Sequence, residues 1–278
     1  MPAALAGDLV DPKLLDIMSA VAAGQLSPEA AARSTRSLAA GYEQVGDFAA
    51  VDAWRAGRTG FPEVVMAAGK TPDQLGAILS RQAGAVGAGP AIASRVDPET
   101  AAAVGASLPA DEAARLTYNA PARLLTLAPA TGKKQPRLPG TVVVLSAGMA
   151  DAGVAEECRA VAEAMGCYAF RLADLAVDGL HRVLHNLPAV RAADVVVVVT
   201  GTDGALASVV AGLVEAPVIA VPTSVGYGAA LNGLAPLLAC LVTSSPGVTV
   251  VNIDSGFGAA MVAARMLRTA AKLRRVPK

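Results

Sequence analysis

The stretch that decides the fold runs from Ala193 to Ala260: ADVVVVVTGTDGALASVVAGL over 193–213, APVIAVPTSVGYGAALNGLAPLLA over 216–239 and GVTVVNIDSGFGAA over 247–260. Each segment opens on β-branched residues and empties into small, flexible ones. Val195–Val199 is an unbroken β-branched run, which suits a strand buried on both faces of a parallel sheet rather than an alternating surface strand. It ends at Thr200-Gly201-Thr202-Asp203-Gly204, where glycines let the backbone approach a ligand and a helix over Ala205–Leu213 aims free N–H groups at it. Val218–Val221 repeats the pattern before Pro222-Thr223-Ser224-Val225-Gly226-Tyr227-Gly228, and Val248–Ile253 repeats it before Asp254-Ser255-Gly256-Phe257-Gly258. Ligands of open parallel sheets sit beyond the carboxyl ends of the strands, so three such turns point to one anion-holding site. Tight αβ connections are the plain alternative.

The same alternation extends upstream. A strand is expected over Thr141–Leu145, a turn at Ser146-Ala147-Gly148-Met149-Ala150-Asp151, a helix to Met165, a strand over Cys167–Leu172, a helix over Gly179–Asn186 and a last helix over Phe257–Leu273. Strands alternating with helices predict an α/β three-layer sandwich around a parallel sheet. Before it, residues 128–140 (APATGKKQPRLPG) are rich in Pro, Gly and basic residues with no apolar period, and read as a linker between a domain over 1–127 and another over 141–278. The first domain reads as helices to about residue 50, with Asp11 capping a run to Ala23 and Ser27-Pro28 opening another. A basic turn from Asp52 then leads into a strand at Pro62–Met66, and Thr71 caps a helix to Gln82. Further strands are expected at Ala91–Val96, Arg115–Tyr118 and Leu124–Leu127, with a helix over 98–107. This is a smaller helical α/β domain.

Composition narrows the function classes. The 278 residues hold 23 basic and 23 acidic side chains, so no net field favours nucleic acid or an anionic membrane. Hydrophobic residues make up 54% but aromatics only 3%, so Ala and Val fill the core. Mean hydropathy is high at +0.49, yet no run approaches the roughly 20 apolar residues of a membrane span. The opening MPAALAGDLVDPKLLD lacks a basic and then apolar leader, which predicts a cytoplasmic protein. Cys158, Cys167 and Cys240 show no metal-ligand spacing and sit in apolar patterns, as small core residues do. With His181 and His185 as the whole imidazole complement, no histidine-rich metal site is expected. The basic tail from Arg265 through Arg268, Lys272, Arg274, Arg275 and Lys278 reads as a solvated helix face.

Several residues have the chemistry for a site. Asp151, just past the first strand of the second domain, suits sugar hydroxyls or a proton, with helix capping as its plain role. Asp203 is a second carboxylate at the same rim, and Asp254 completes it. His181-Arg182 suits phosphate or carboxylate, or is a surface pair. Ser224 and Tyr227 are hydrogen-bond donors inside a glycine-rich turn. Ser244 and Ser245 lie in the loop before the last strand, where a hydroxyl would face a ligand. In the first domain Arg55, Arg58 and Lys70 bracket a strand and would reach a phosphate, or serve as solvated charge.

DAWRAGRTGFPEVVMAAGKTPDQ in the first domain, and SAGMADAGVAEE, RLADLAVDGLHRVL and the long 201–239 and 247–260 blocks in the second, resemble the LarB family. Its second domain is similar to PurE, the aminoimidazole ribonucleotide carboxylase and mutase. The resemblance implies a PurE-like, flavodoxin-like sandwich assembled as a homo-octamer or other homo-oligomer. It implies carboxylation of the pyridinium ring of nicotinic acid adenine dinucleotide with release of AMP, giving pyridinium-3,5-biscarboxylic acid mononucleotide for nickel-pincer cofactor synthesis. CO2 or bicarbonate is then a co-substrate, no cofactor is tightly bound, and a role for Mg2+ is left open. A nucleotide is the implied partner, with no nucleic acid and no membrane. A family cysteine adds to the ring; counted back from Gly247, its place is held by Ser244, with Asp151 and Asp203 as acids. Gly148, Gly201, Gly204, Gly228 and Gly256, with His181, Arg182, Ser224, Tyr227 and Asp254, are the expected binding set, joined by Arg55, Arg58 and Lys70. Two alternatives accompany this reading: a relative that binds a nucleotide without the covalent step, and a PurE-like ribonucleotide carboxylase or mutase.

Overall fold

A computed structural model describes residues 12–52, 55–84, 89–132 and 136–274. The chain divides into two units: the described residues up to 93 with 99–117 and 126–132, and residues 94–98 and 118–125 with those from 136 on.

In the first unit, α1 (Pro12–Ala22) and α2 (Pro28–Ala40) precede a hairpin of β1 (Glu43–Val45) and β2 (Ala49–Val51). Helices were expected to about residue 50, but 43–51 lacks a helical apolar period and turns at Gly46, so it pairs as strands. The basic turn expected after Asp52 is a short helix, α3 (Arg55–Thr59). Next along the chain come β3 (Val64–Met66), α4 (Pro72–Ala83), β4 (Ala91–Ser94), α5 (Pro98–Ser107), α6 (Ala110–Ala113), β5 (Leu116–Asn119) and β6 (Leu124–Leu127), of which residues 94–98 and 118–125 group with the second unit, and the sheet is ordered β3-β4-β6-β5. Thr71 caps α4 through a reciprocal bond with Gln74, and Ser27 caps α2. The cap assigned to Asp11, and the tail residues Arg275 and Lys278, lie outside the described residues.

The second unit is β7 (Thr141–Ser146), α7 (Ala152–Ala164), β8 (Tyr168–Leu172), α8 (Leu180–Arg191), β9 (Val195–Thr200), α9 (Ala205–Ala211), β10 (Val218–Pro222), α10 (Leu234–Leu241), β11 (Val248–Val250) and α11 (Gly256–Arg274). The five strands are parallel in the order β11-β10-β9-β7-β8. Every residue of β9 and β10 is buried, as the β-branched run requires; the edge strands β8 and β11 are partly exposed. Val143, Leu145, Val196, Val198 and Ala220 pack on one face against Val183 and Val190 of α8, Leu206 and Val210 of α9 and Cys240 of α10. α7 and α11 pack against each other and onto the strands from the other side, through Ala155, Cys158, Ala259, Ala260 and Ala263, all fully buried. The three layers follow: each buried valine adds about 1.5–3 kcal/mol of transfer free energy, and alanines let the helices approach closely.

Two elements of the second unit differ most from expectation. α8 runs past Pro188 to Arg191 because continuing it buries Val190. The last strand stops at Val250, since beyond it the chain bends into the turn holding Asp254. Among the described residues no helix is long and apolar enough to cross a membrane.

Candidate active site

The strand order fixes where a ligand can sit. From β7 the chain moves outward to β8, then returns to the other side of β7 for β9, so the carboxyl ends of β7 and β9 flank a topological switch point. A cavity of about 420 Å3 opens there, lined by Gly148, Ala150 and Asp151 after β7, by Ala176–Asp178 after β8, by Thr200–Asp203 after β9 and by Val225 after β10.

Asp151 is the chemical centre of this cavity. Its side chain is 3% exposed, and every bond it makes is to another strand end or to its own turn. Oδ1 accepts the Thr223 hydroxyl at 2.6 Å, Oδ2 accepts the Gly148 N–H at 3.0 Å, and the Gly201 N–H adds to them. Burial is the strongest influence on its carboxyl and pushes it above the usual range, against these three donors; the charge of Asp254 pushes the same way. A carboxyl that is buried, oriented and shifted toward neutrality suits proton transfer. Gly201 makes the arrangement fit, because a Cβ there would stand 2.6 Å from the Thr223 hydroxyl and from the Val225 carbonyl.

The surrounding loops are laced together by backbone bonds. Thr202 N–H donates to the Val225 carbonyl (3.0 Å), Asp254 N–H to the Pro222 carbonyl (2.9 Å), and Ser224 N–H to Asp254 Oδ1 (2.8 Å). Thr202 and Asp254 both take left-handed backbone, at φ 55°, a conformation costly for a β-branched residue such as Thr202. Asp203 is exposed; its Oδ1 caps α9 through Ala205 N–H (3.0 Å) while the residue borders the cavity.

Two residues of this neighbourhood escaped the sequence reading, besides Thr223. Glu157 on α7 is 6% exposed. It accepts the Phe257 and Gly256 N–H groups at the start of α11, and burial raises its carboxyl despite those bonds and Arg95. Its signal was a carboxylate beside Cys158 on a helix face of core residues. Arg95, whose own φ is 59°, donates to the Asp254 carbonyl at 3.2 Å; nothing in its local sequence marked it.

Other expected residues are placed elsewhere. Gly204, at φ 70°, starts α9 tight against the Pro236 carbonyl, and Gly256 seats α11 against α7. Tyr227 is 91% exposed; it and Gly228 stand outside the cavity lining. His181 and Arg182 border a neighbouring hollow with Asp174, where Arg182 is neutralised by Asp174 and by Asp178 at 3.4 Å. In the first unit Arg58 pairs with Asp52, Arg55 lies 3.6 Å from Glu63, and Lys70 donates to the Met66 carbonyl at 3.0 Å.

Ser244 is exposed and precedes β11, so it stands at the amino edge of the parallel sheet while Asp151 stands at the carboxyl edge. A strand of this length separates the two edges by roughly 17–20 Å. Within one chain the structure does not bring Ser244 to the Asp151 cavity. The three cysteines are buried as well, with the Cys167 and Cys240 thiols pushed up to about 11 by burial. Among the described residues no three His, Cys, Asp or Glu side chains cluster as a metal set.

Two family models match consecutive parts of the chain. Residues 42–129 match the LarB/PurE-like N-terminal domain and residues 141–275 match AIR carboxylase. An uncharacterized protein of Methanocaldococcus jannaschii, MJ0165, is 34% identical over 224 residues, which cover 80% of this chain and 85% of that one. Among solved structures, Treponema denticola PurE is 22% identical with a TM-score of 0.40, covering 46% of this chain and 80% of that chain. A second, a singly substituted variant of Treponema denticola PurE2, is 18% identical with a TM-score of 0.37, covering 51% and 93%. The chain belongs to the LarB family, in which a LarB/PurE-like N-terminal domain precedes an AIR carboxylase domain.

Proposed function

We propose that the protein carboxylates the pyridinium ring of nicotinic acid adenine dinucleotide and releases AMP, giving pyridinium-3,5-biscarboxylic acid mononucleotide for nickel-pincer cofactor synthesis. The observation that carries this is Asp151: a buried, upshifted carboxyl at the switch-point cavity of an AIR carboxylase domain. A pyridinium ring is electron-poor, so a nucleophile adds first and makes the ring rich enough to attack CO2. The new C–C bond forms at C5, Asp151 takes the C5 proton, and the nucleophile leaves. Water cleaves the phosphoanhydride to free AMP. CO2 or bicarbonate is the co-substrate and no cofactor is tightly bound. Asp203 is free to meet the ribose, since its second carboxylate oxygen is uncommitted by the cap on α9.

The nucleophile is the demanding part. Ser244 lies at the other edge of its own sheet, so it acts on the cavity of a neighbouring protomer in a homo-oligomer. A hydroxyl is the weaker nucleophile than a thiolate, and turnover is accordingly slow. A second reading, a PurE-like ribonucleotide carboxylase or mutase, is favoured by the burial of all three thiols. An amino-substituted imidazole is already electron-rich and needs no covalent step, only a proton carrier such as Asp151.

The test is incubation of the protein, at concentrations matching substrate, with labelled bicarbonate and either nicotinic acid adenine dinucleotide or aminoimidazole ribonucleotide. AMP release with label in the pyridinium product is expected. Label in the imidazole alone selects the second reading, and label in neither rejects both.

A further inference from the structure

The first unit contains a cavity of about 560 Å3 walled by α2, β1 and α4. One face of α2 borders it: Ala30, Arg33, Ser34 and Ser37, spaced i, i+3, i+4 and i+7. That spacing normally carries an apolar stripe onto a core. Here the face is polar, and no residue of α2 is buried.

The charge on this wall is mostly basic, although Ser80 donates to Glu112 and Arg33 feels the charge of Glu29. Arg36 of α2 and Arg81 of α4 join Arg33, giving three guanidiniums against Glu43, the single carboxylate among the lining residues. Arg81 lies 3.5 Å from Glu43, whereas Arg36 pairs with no carboxylate among the described residues. Leu26, Val45 and Ala77 supply an aliphatic surface on the same cavity. Planar guanidiniums spaced along a helix with hydroxyls between them match the oxygens of successive phosphates. The volume falls within the range of small-molecule sites, in which a few polar groups orient a ligand over apolar lining.

We propose that this cavity is a second ligand site, taking a nucleoside polyphosphate whose phosphates meet Arg33, Arg36 and Arg81 and whose apolar part rests on Leu26, Val45 and Ala77. The site is independent of the Asp151 cavity and of any reaction there. It depends on α2, which precedes the first residue matched by the family's N-terminal domain, residue 42.

The full chain is titrated with ATP by calorimetry, and the footprint of bound ATP is read by hydrogen exchange. Protection of 28–40 and 77–84 is expected. Arg33→Ala/Arg36→Ala weakens this binding at least tenfold and removes that protection. Both side chains are exposed, so the melting temperature of the free double variant stays that of the parent. Arg33→Lys/Arg36→Lys retains part of the affinity, and added salt weakens it because the cations face solvent. Protection confined to 148–151 and 200–206, absence of ATP binding, or a double variant that binds as the parent does would each overturn the proposal.

Discussion

The carboxyl and amino edges of the five-stranded sheet are made by the same strands and carry different chemistry. At the carboxyl edge the segments after β7, β8, β9 and β10 meet around Asp151, which is buried, bonded three times and shifted upward. At the amino edge the loop before β11 carries Ser244 in solvent, and its neighbour Ser245 ties the loop to α9 through the Ser208 carbonyl at 2.8 Å. The contrast follows from strand direction: all residues that follow parallel strands share one edge, and all that precede them share the other. A general base and a nucleophile assigned to opposite edges of one chain cannot cooperate inside it.

Changes at the carboxyl edge break the comparison most severely. Asp151→Asn removes the proton acceptor while keeping the volume, and carboxylation is expected to fall by about 10²–10⁴-fold with nucleotide affinity nearly retained. Rate and Kd measured on the same preparation check this; a rate within about threefold of the parent, far short of what a lost general base costs, assigns the proton to another group. Gly201→Val drives a side chain into Thr223 and Val225, with an expected loss of about 1–3 kcal/mol by overpacking, read as a shift in the urea midpoint. Thr223→Val is milder, at about 1 kcal/mol for a lost hydrogen bond. Because the hydroxyl holds the Asp151 carboxyl down, its removal moves the acid limb of the rate profile to higher pH.

The same edge sets a pH dependence of stability. Asp151 and Glu157 are both raised by burial, so each binds its proton more tightly in the native protein than in the unfolded chain. Their contribution to stability is fully present below the ordinary carboxylate range and fades as pH climbs through the raised values. In Glu157→Gln one of these contributions disappears. Its urea midpoint, compared with that of the parent, is expected to gain as pH rises from about 4, and a difference that stays flat with pH contradicts the burial argument.

The strand direction behind this contrast is legible in the sequence, and Ser244, which precedes the last strand, therefore belongs to the edge opposite Asp151. The β-branched run at 195–199 gave β9 and its burial directly, and the glycine-rich turns marked the carboxyl edge. Asp151 was legible as a carboxylate past a strand; its burial was not, because that depends on Thr223 and Gly201 arriving from other strands. Arg95 could not be found at all, since only tertiary folding sets it against Asp254. Arg182 is the reverse case. Asp178 stands four residues before it, on the spacing of a helical ion pair, and that local neutralisation was readable without any structure.

Ser244→Cys is the gentlest change and sharpens the comparison furthest. The site is exposed, so stability and nucleotide affinity are expected to stay within about 0.5 kcal/mol of the parent. A thiolate nevertheless attacks a pyridinium ring far better than a hydroxyl does, so AMP release is expected to rise by an order of magnitude or more if the thiol reaches a cavity. Under the proposed reading that cavity belongs to another protomer, and dilution separates the cases. Activity per chain that falls as the assembly dissociates places the two edges in one composite site across protomers. Activity that is constant on dilution to monomers means that the loop before β11 crosses to its own carboxyl edge, which no fluctuation preserving this sheet allows. A mixture of Asp151→Asn chains with chains carrying Ser244→Ala completes the argument: neither parent pairs an intact base with its nucleophile, and only mixed assemblies would join Asp151 of one protomer to Ser244 of the next.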